Sequence, residues 1–505
     1  MTHAGEMAAW TGPALVVAIV ARVMVGGLEA PLFILAVLTA PLLALLAEPA
    51  PGALPSGAAL PIGLVMAVCV LGSSIRALTD LGHILGWPTW GALGAAVALV
   101  LVPTLGAARA RVSLVALGLG GGALLVAVVG FGHVVDASPW AAWSRVASRS
   151  AFELTAGSPW TREGFQALEP VALTLTEPRQ VTVMTAGVYR VTEHDRAQPI
   201  IREWRLTVGD SLVVRPGDTL SIPSGGRVRF EAGMRLPVPA SGMAWADGLR
   251  APRARSVVGW VGLAVTLAGG AMAVVRPLAP LSRGAALLAP VIALGVVLAA
   301  ASWAVYAVDA APELSIGMPP GAALVRLVPA VVPEPWRSRL FAAVLVALVA
   351  LLVAVAAALH QRLVDLADLR AGRVPGLFRR RAVRSSAWVV VVALAVAAGL
   401  WVTEGWSLLL HGLGFGAATV LGPLLATGDA PDARRANLAG ALAGVAVFVL
   451  TPHAIEWLAP LRVAAVAAIA QYPALIAAPA AWLVAMAIRA SDDTRAEMVA
   501  ALRRH

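Results

Sequence analysis

The sequence predicts a polytopic α-helical membrane protein that carries one small all-β insert. Three observations predict it. The chain is 59% hydrophobic and 13% charged, with mean hydropathy +0.82, about half the charged fraction of a soluble domain. Apolar runs of ~20 residues recur along most of it, each long enough to cross ~30 Å of hydrocarbon. Between two blocks of such runs lie about 120 polar residues that alternate in the manner of strands. A β-barrel is excluded, because its strands would alternate and the long apolar runs do not.

Twelve spans are expected, near 10–27, 29–47, 58–79, 89–107, 112–134, 256–275, 284–308, 339–360, 386–403, 407–427, 437–452 and 463–488. Five precede the insert and seven follow it. The domain boundaries are then 1–135 for the first five spans, 136–254 for the insert, 255–427 for the next five, and 428–505 for two last spans and a tail. Orientation follows from arginine in short loops. The segment 361–385 holds Arg362, Arg370, Arg373, Arg379, Arg380, Arg381 and Arg384 against Asp365 and Asp368, and is expected to be cytoplasmic. Threading outward puts Arg109/Arg111, Arg276/Arg283, Arg434/Arg435 and Arg503–Arg504 on the same side. Both termini are then cytoplasmic and 136–254 extracytoplasmic, in a bacterial-type inner membrane. No cleavable signal peptide is expected, since the N-terminus lacks a basic n-region.

Composition also excludes chemistry. All 38 basic residues are Arg, which GC-rich coding explains and which rules out Schiff-base lysine chemistry. The net charge of +10 belongs to membrane edges rather than to a nucleic-acid surface. The single cysteine, Cys69, permits neither an intrachain disulfide nor a cysteine metal site. No enzyme activity, catalytic residue, resident metal or cofactor is expected; the bilayer is the one partner that composition demands.

The insert opens with an amphipathic stretch, Pro139 to Arg149, whose Trp140 and Trp143 suit the headgroup level. Alternating runs follow at 171–177, 180–186, 188–193, 203–208, 211–215, 219–223 and 227–231. Turn signals at Gly209-Asp210, Pro216-Gly217-Asp218 and Gly225-Gly226 separate them, so a small β-sandwich or barrel is expected. With one histidine, His194, and no cysteine, it is a cap or a docking surface for an envelope partner rather than a copper site.

Polar residues inside apolar runs are candidates by default. Arg22 lies in the first run, where it either snorkels to headgroups or holds a carboxylate bidentately. His83, His133, His411 and His453 fall at one level with Asp80, Asp136, Glu404 and Glu456. Such a set either faces interfacial water or handles a metal, haem or protons. His411 stands apart because the Gly412/Gly414/Gly416 run follows it.

The ordered series of spans resembles the sodium:solute symporter family, in particular its acetate/monocarboxylate-type branch. The first two spans, beginning GEMAAWTGPALVV, are similar to that family's broken first helix and its second helix. Residues 64–107 resemble its third and fourth spans, 269–290 the end of its sixth, 320–363 its outer hairpin and eighth span, 412–452 its tenth and eleventh, and 472–493 its closing span. The resemblance covers nearly everything except 136–254. It implies the leucine-transporter fold: two inverted five-helix repeats plus two spans, with the insert in the outer loop joining the repeats. It also implies a binding site where the first and sixth helices break, at Thr11-Gly12-Pro13 and at Gly269-Gly270; packing glycines are the equal alternative at the first and the plainer reading of the second. The family's Ser-Thr sodium pair on span eight falls on Val346 and Ala347, and that span has no hydroxyl.

Three functions are therefore expected in order. The first is alternating-access transport of a small organic anion, with sodium or proton coupling open. The second is a non-transporting sensor or scaffold whose β domain binds a ligand or envelope partner. The third is cofactor handling by the histidine set.

Overall fold

The computed structural model describes residues 3–26, 30–46, 56–102, 109–148, 152–154, 159–162, 164–167, 170–175, 178–194, 199–233, 235–236, 254–275, 283–311, 314, 320–371, 381–402, 405–427, 433–458 and 464–502. The protein is a polytopic helical membrane protein with a small antiparallel all-β region. Among the described residues, six helical segments are long and apolar enough to cross a membrane: Leu60–Ile84, Val112–Val134, Leu288–Ala310, Trp336–Val364, Arg434–Ile455 and Ala474–Val499. Shorter apolar helical segments, Pro13–Met24, Ala30–Leu43, Thr89–Leu101, Val258–Ala271, Ser386–Trp401 and Gly405–Leu421, overlap the other six stretches read as spans.

Before the insert run α1 (His3–Trp10), α2 (Pro13–Gly26), α3 (Ala30–Leu46), α4 (Ser56–Ile84), α5 (Thr89–Leu101) and α6 (Arg109–Val134). The amphipathic stretch forms α7 (Pro139–Ser148), and one turn, α8 (Pro159–Arg162), lies within the β region. After it come α9 (Ala254–Val275), α10 (Arg283–Ala310), a tight turn at Pro320–Ala322 leading into α11 (Ala323–Val331), α12 (Trp336–Ala371) and α13 (Arg381–Trp401). Then follow α14 (Gly405–Gly416), a π-helical turn (Ala417–Leu421), α15 (Gly422–Thr427), α16 (Arg434–Leu458), α17 (Ala464–Gln471) and α18 (Ala474–Leu502).

The helices of the two blocks interleave. α1 packs on α12, α10 and α9; α2 packs on α10 and α4; α6 lies along α12; α3 lies along α9; and α4 packs on α13 and α14. One apolar core runs through both blocks. Its outward face is apolar too: Val115, Leu119, Val126 and Val129 line one side of α6 and are all more than half exposed. A stripe of that length on a helix needs lipid rather than water around it.

Two expectations about helices are corrected. The run read as one span at 463–488 is divided, because α17 ends at Gln471 and α18 starts at Ala474. Pro473 lacks an N–H and disfavours helix at Tyr472, so the ladder stops there. The run at 407–427 carries the π turn where Gly269 of α9 and Gly444 of α16 press on Ala417 and Ala418. Of the Arg-rich segment 361–385, residues 372–380 lie outside the described residues, as do Arg276, Arg503 and Arg504.

The insert is a β-sandwich. The strands are β1 (Phe152–Glu153), β2 (Phe165–Gln166), β3 (Val171–Thr174), β4 (Arg179–Val183), β5 (Gly187–Glu193), β6 (Ile200–Leu206), β7 (Ser211–Val214), β8 (Thr219–Ile222), β9 (Arg227–Arg229) and β10 (Arg235–Leu236). One sheet has the order β2-β9-β4-β7 and the other β3-β8-β5-β6, with β1 paired to β10 apart; every pairing is antiparallel. Alternation sets the register: Val181, Val183, Tyr189, Val191, Leu212, Val214, Leu220 and Ile222 all face inward. Trp160 closes the core, stacked on Phe230 at 5.2 Å and tilted against Phe165 at 4.5 Å. This part folds by burying apolar side chains from water, at ~1.5–3 kcal/mol for each large one.

Candidate functional site

The clearest irregularity in the helical core is the gap between α1 and α2. Pro13 removes a donor and disfavours helix at the residue before it. The ladder of α1 ends at Thr11, whose N–H and hydroxyl both donate to the Met7 carbonyl, at 2.9 and 2.6 Å. The ladder of α2 begins at the Gly12 carbonyl, which accepts from the Leu15 and Val16 N–H groups at 3.1 and 3.3 Å. Two residues, Thr11 and Gly12, are thus outside either helix, and both are buried. Backbone of this kind is tolerated deep in a membrane protein only where protein or a polar cavity surrounds it.

The surroundings of this gap are mixed in polarity. A Cβ on Gly12 would stand 2.8 Å from the Ser74 Oγ of α4 and 2.9 Å from the Val355 Cγ2 of α12. Ser73 and Ser74 are both buried and both donate to the Val70 carbonyl, at 2.8 and 3.0 Å. Beside the gap, Trp10 is 1% exposed, and among the described residues its indole N–H has no hydrogen-bond partner. On α9, which packs on α1, the Thr266 hydroxyl is likewise buried and unpartnered among the described residues. An unpaired buried donor costs ~1–3 kcal/mol. The two donors lie on helices that pack together.

The second expected break is absent. α9 runs without interruption through Gly269 and Gly270. A Cβ on Gly269 would meet Ala417 at 2.6 Å, and one on Gly270 would meet the Leu413 carbonyl and Cβ at 2.6 Å. These glycines bring α9 against α14 and the π turn, which is the packing use of small residues in membrane helices.

On α12, Val346 points away from the bundle at 44% exposure, whereas Ala347 is buried with its carbonyl toward Gly120 of α6. The α12 residue that meets the gap is Val355, about two turns further along. Its neighbours Ala354, Ala356, Ala357 and Ala358 are apolar as well, so the lack of a hydroxyl extends to the part of α12 that adjoins the break.

Arg22 is exposed on α2. His411 is exposed on α14, its Nδ1 2.7 Å from the Ser407 carbonyl. Neither lies at the gap, which is ten residues from Arg22 along the chain. The remaining histidines do not come together: His133 stands edge-on to Trp336 at 6.3 Å, Asp80 pairs with Arg76 at 2.9 Å, and Glu404 lies outside the described residues. Among the described residues no three His, Cys, Asp or Glu side chains converge on a point that would hold a metal ion.

The sequence reading missed several of these residues. Ser74 and Val355 come from two distant helices, and only folding sets them against the break; Trp10, adjacent to it in the chain, and Thr266 on α9 gave no signal of an unpaired donor. His360, tilted on Trp388 at 4.9 Å and 2% exposed, was also passed over. The Tyr-Pro dipeptide at 472–473 was a local signal for a division.

No protein-family model and no curated protein matches the chain.

Proposed function

We propose that this is a secondary-transporter-like permease of the sodium:solute symporter type, moving a small organic anion by alternating access. The observation that carries this reading is the buried gap at Thr11-Gly12, held between α4 and α12 with the unpaired Trp10 indole N–H beside it. A broken first helix at the centre of a bundle is how such transporters present backbone groups to substrate and ion. The reading takes the bundle as twelve spans in two inverted repeats of five plus two, in a bacterial inner membrane. Both termini are then cytoplasmic, and 136–254 lies outside.

In this reading the Trp10 indole N–H and the Thr266 hydroxyl are donors for a carboxylate near the midplane. Arg22 and His411, both exposed, serve its approach from outside. The sixth span contributes packing glycines rather than a second break. Coupling to sodium through side-chain oxygens of α12 is left out, because Val and Ala offer only carbonyls already used in the helix. Proteoliposome uptake of labelled acetate, pyruvate and related acids, with imposed proton and sodium gradients, is the test. Uptake driven by a proton gradient supports the proposal, and absence of gradient-driven uptake for every small acid sinks it.

The lack of hydroxyls over residues 339–360 of α12 favours a second reading, a scaffold that has lost transport and whose β domain docks an envelope partner. Replacing 152–236 by a short flexible linker separates the two. A transporter still takes up substrate down the gradient, at most with a changed rate, whereas a sensor loses whatever its membrane part does for the cell.

A further inference from the structure

The last two turns of α10 hold three other parts of the molecule by three side chains on one face. Trp303, Tyr306 and Asp309 are spaced at i, i+3 and i+6. The Trp303 indole N–H donates to the Ala323 carbonyl, at the start of α11, at 3.3 Å. The Tyr306 hydroxyl donates to the Ala137 carbonyl, just ahead of α7, at 2.8 Å. Asp309 accepts from the Arg145 guanidinium of α7, with Nε at 3.1 Å and the terminal nitrogen at 2.5 Å. The Phe131 ring of α6 lies against both aromatics, 5.5 Å from Trp303 and 5.3 Å from Tyr306.

α11 is held at its other side as well. Arg326 donates to the Ile84 carbonyl at the end of α4, at 2.6 Å, and Gly321 abuts Val17 of α2. So the 320–331 segment, α2 and the lead-in to the β-sandwich all meet on α10, which itself packs along α2. α7 ends at Ser148 and β1 begins at Phe152, so α7 is the sandwich's N-terminal tether.

We propose that α7 is a strap through which the β-sandwich controls the 320–331 segment. Held by Arg145 and Ala137, the end of α10 keeps Ala323 seated and the segment closed over α2; when the strap loosens, the segment loosens with it. The linkage stands on these contacts whether or not the bundle transports. Only a role for 320–331 as the outer hairpin that opens and closes a substrate path rests on the transporter reading, and the experiment therefore reads mobility and not uptake.

The measurement is hydrogen exchange by mass spectrometry on the full-length protein in nanodiscs. Arg145→Gln takes the guanidinium charge from the Asp309 carboxylate, which is 8% exposed, whereas Asp309→Asn leaves Arg145 in contact with water at 44% exposure. Arg145→Gln is expected to speed exchange in 320–331 by about threefold, the ratio that a partly exposed pair supports, and Asp309→Asn by less. The reversed pair, Arg145→Asp with Asp309→Arg, is expected to restore the wild-type rate. Trp160→Ala, which opens the sandwich core, is expected to speed exchange in 320–331 on the wild-type background and to add nothing on the Arg145→Gln background. The proposal is overturned if Arg145→Gln frees 139–148 and leaves 320–331 unchanged. It is overturned equally if opening the sandwich never reaches that segment.

Discussion

Gly12 stands where two helices stop and two others press in. With the Ser74 Oγ and Val355 Cγ2 inside 3 Å of a would-be Cβ, Gly12→Ala has to push the Ser74 hydroxyl and the Val355 methyl aside. We expect a loss of ~1–3 kcal/mol, the usual cost of overpacking, read as a lower melting temperature in detergent. Asp210 gives a second prediction at this scale. The Thr207 N–H and then its hydroxyl, at 2.6 and 2.9 Å, hold the Asp210 carboxyl below its ordinary value. A carboxyl lowered in the folded state contributes stability above its unfolded pKa and loses it as pH falls through the folded one. Asp210→Ala should therefore lower the sandwich's melting temperature at neutral pH, and the gap from wild type should close in acid. A gap that stays constant in acid would refute this. The Thr11-Gly12-Pro13 break was legible in the sequence because proline acts on its immediate neighbours. The Ser74 and Val355 contacts were not, since nothing local brings residues 12, 74 and 355 together.

Helices in this molecule meet through their glycines. Gly270 admits Leu413, Gly422 the Ala478 carbonyl, Gly440 the Ala481 carbonyl and Gly444 the Ala418 carbonyl; a Cβ on Gly422 or Gly440 would stand only 2.5 or 2.7 Å from that oxygen. Where lipid tails are as apolar as the core, close backbone approach replaces the hydrophobic effect as the source of association. Gly270→Ala is expected to destabilise the bundle by ~1–3 kcal/mol through overpacking. Gly122, with nothing within 4 Å of a Cβ, is the control. Gly122→Ala should be neutral or stabilising by up to about 1 kcal/mol, from helix propensity alone. Equal melting shifts for the two would show that contact plays no part. The same physics explains why the packing reading of Gly269-Gly270 holds and the break that the resemblance implied there does not: glycine in a span serves packing as readily as unwinding. The seven alternating runs of the insert were read correctly as strands, because period two and turn residues are local; the short β1, β2 and β10 carried too little pattern to see.

At the scale of the whole molecule, the helices of one block pack between those of the other, and a water-exposed sandwich is tethered to the bundle by α7. The proposed orientation predicts a labelling pattern. In a background with Cys69 replaced by serine, Val208→Cys, on an exposed turn of the sandwich, should react with a membrane-impermeant maleimide in intact spheroplasts. Thr494→Cys, near the end of α18, should react only after permeabilisation. The opposite pattern would invert the proposed topology. Interleaving also bears on the strap, since a pull on α10 is felt by α1, α2 and α3 together.

The sequence by itself determined the class of the molecule, the place and kind of its insert, and the position of one helix break. Each of these rests on short-range physics: the hydropathy of consecutive residues, alternation at period two, and a proline acting on the residue before it. Only the tertiary structure decided what surrounds that break, that α9 passes its glycines unbroken, that Val355 rather than Val346 faces the gap, and that Arg145 finds Asp309. Those depend on which helix faces approach one another, and in a chain where leucine, valine and alanine cover every face, the sequence marks the lipid side and the protein side alike.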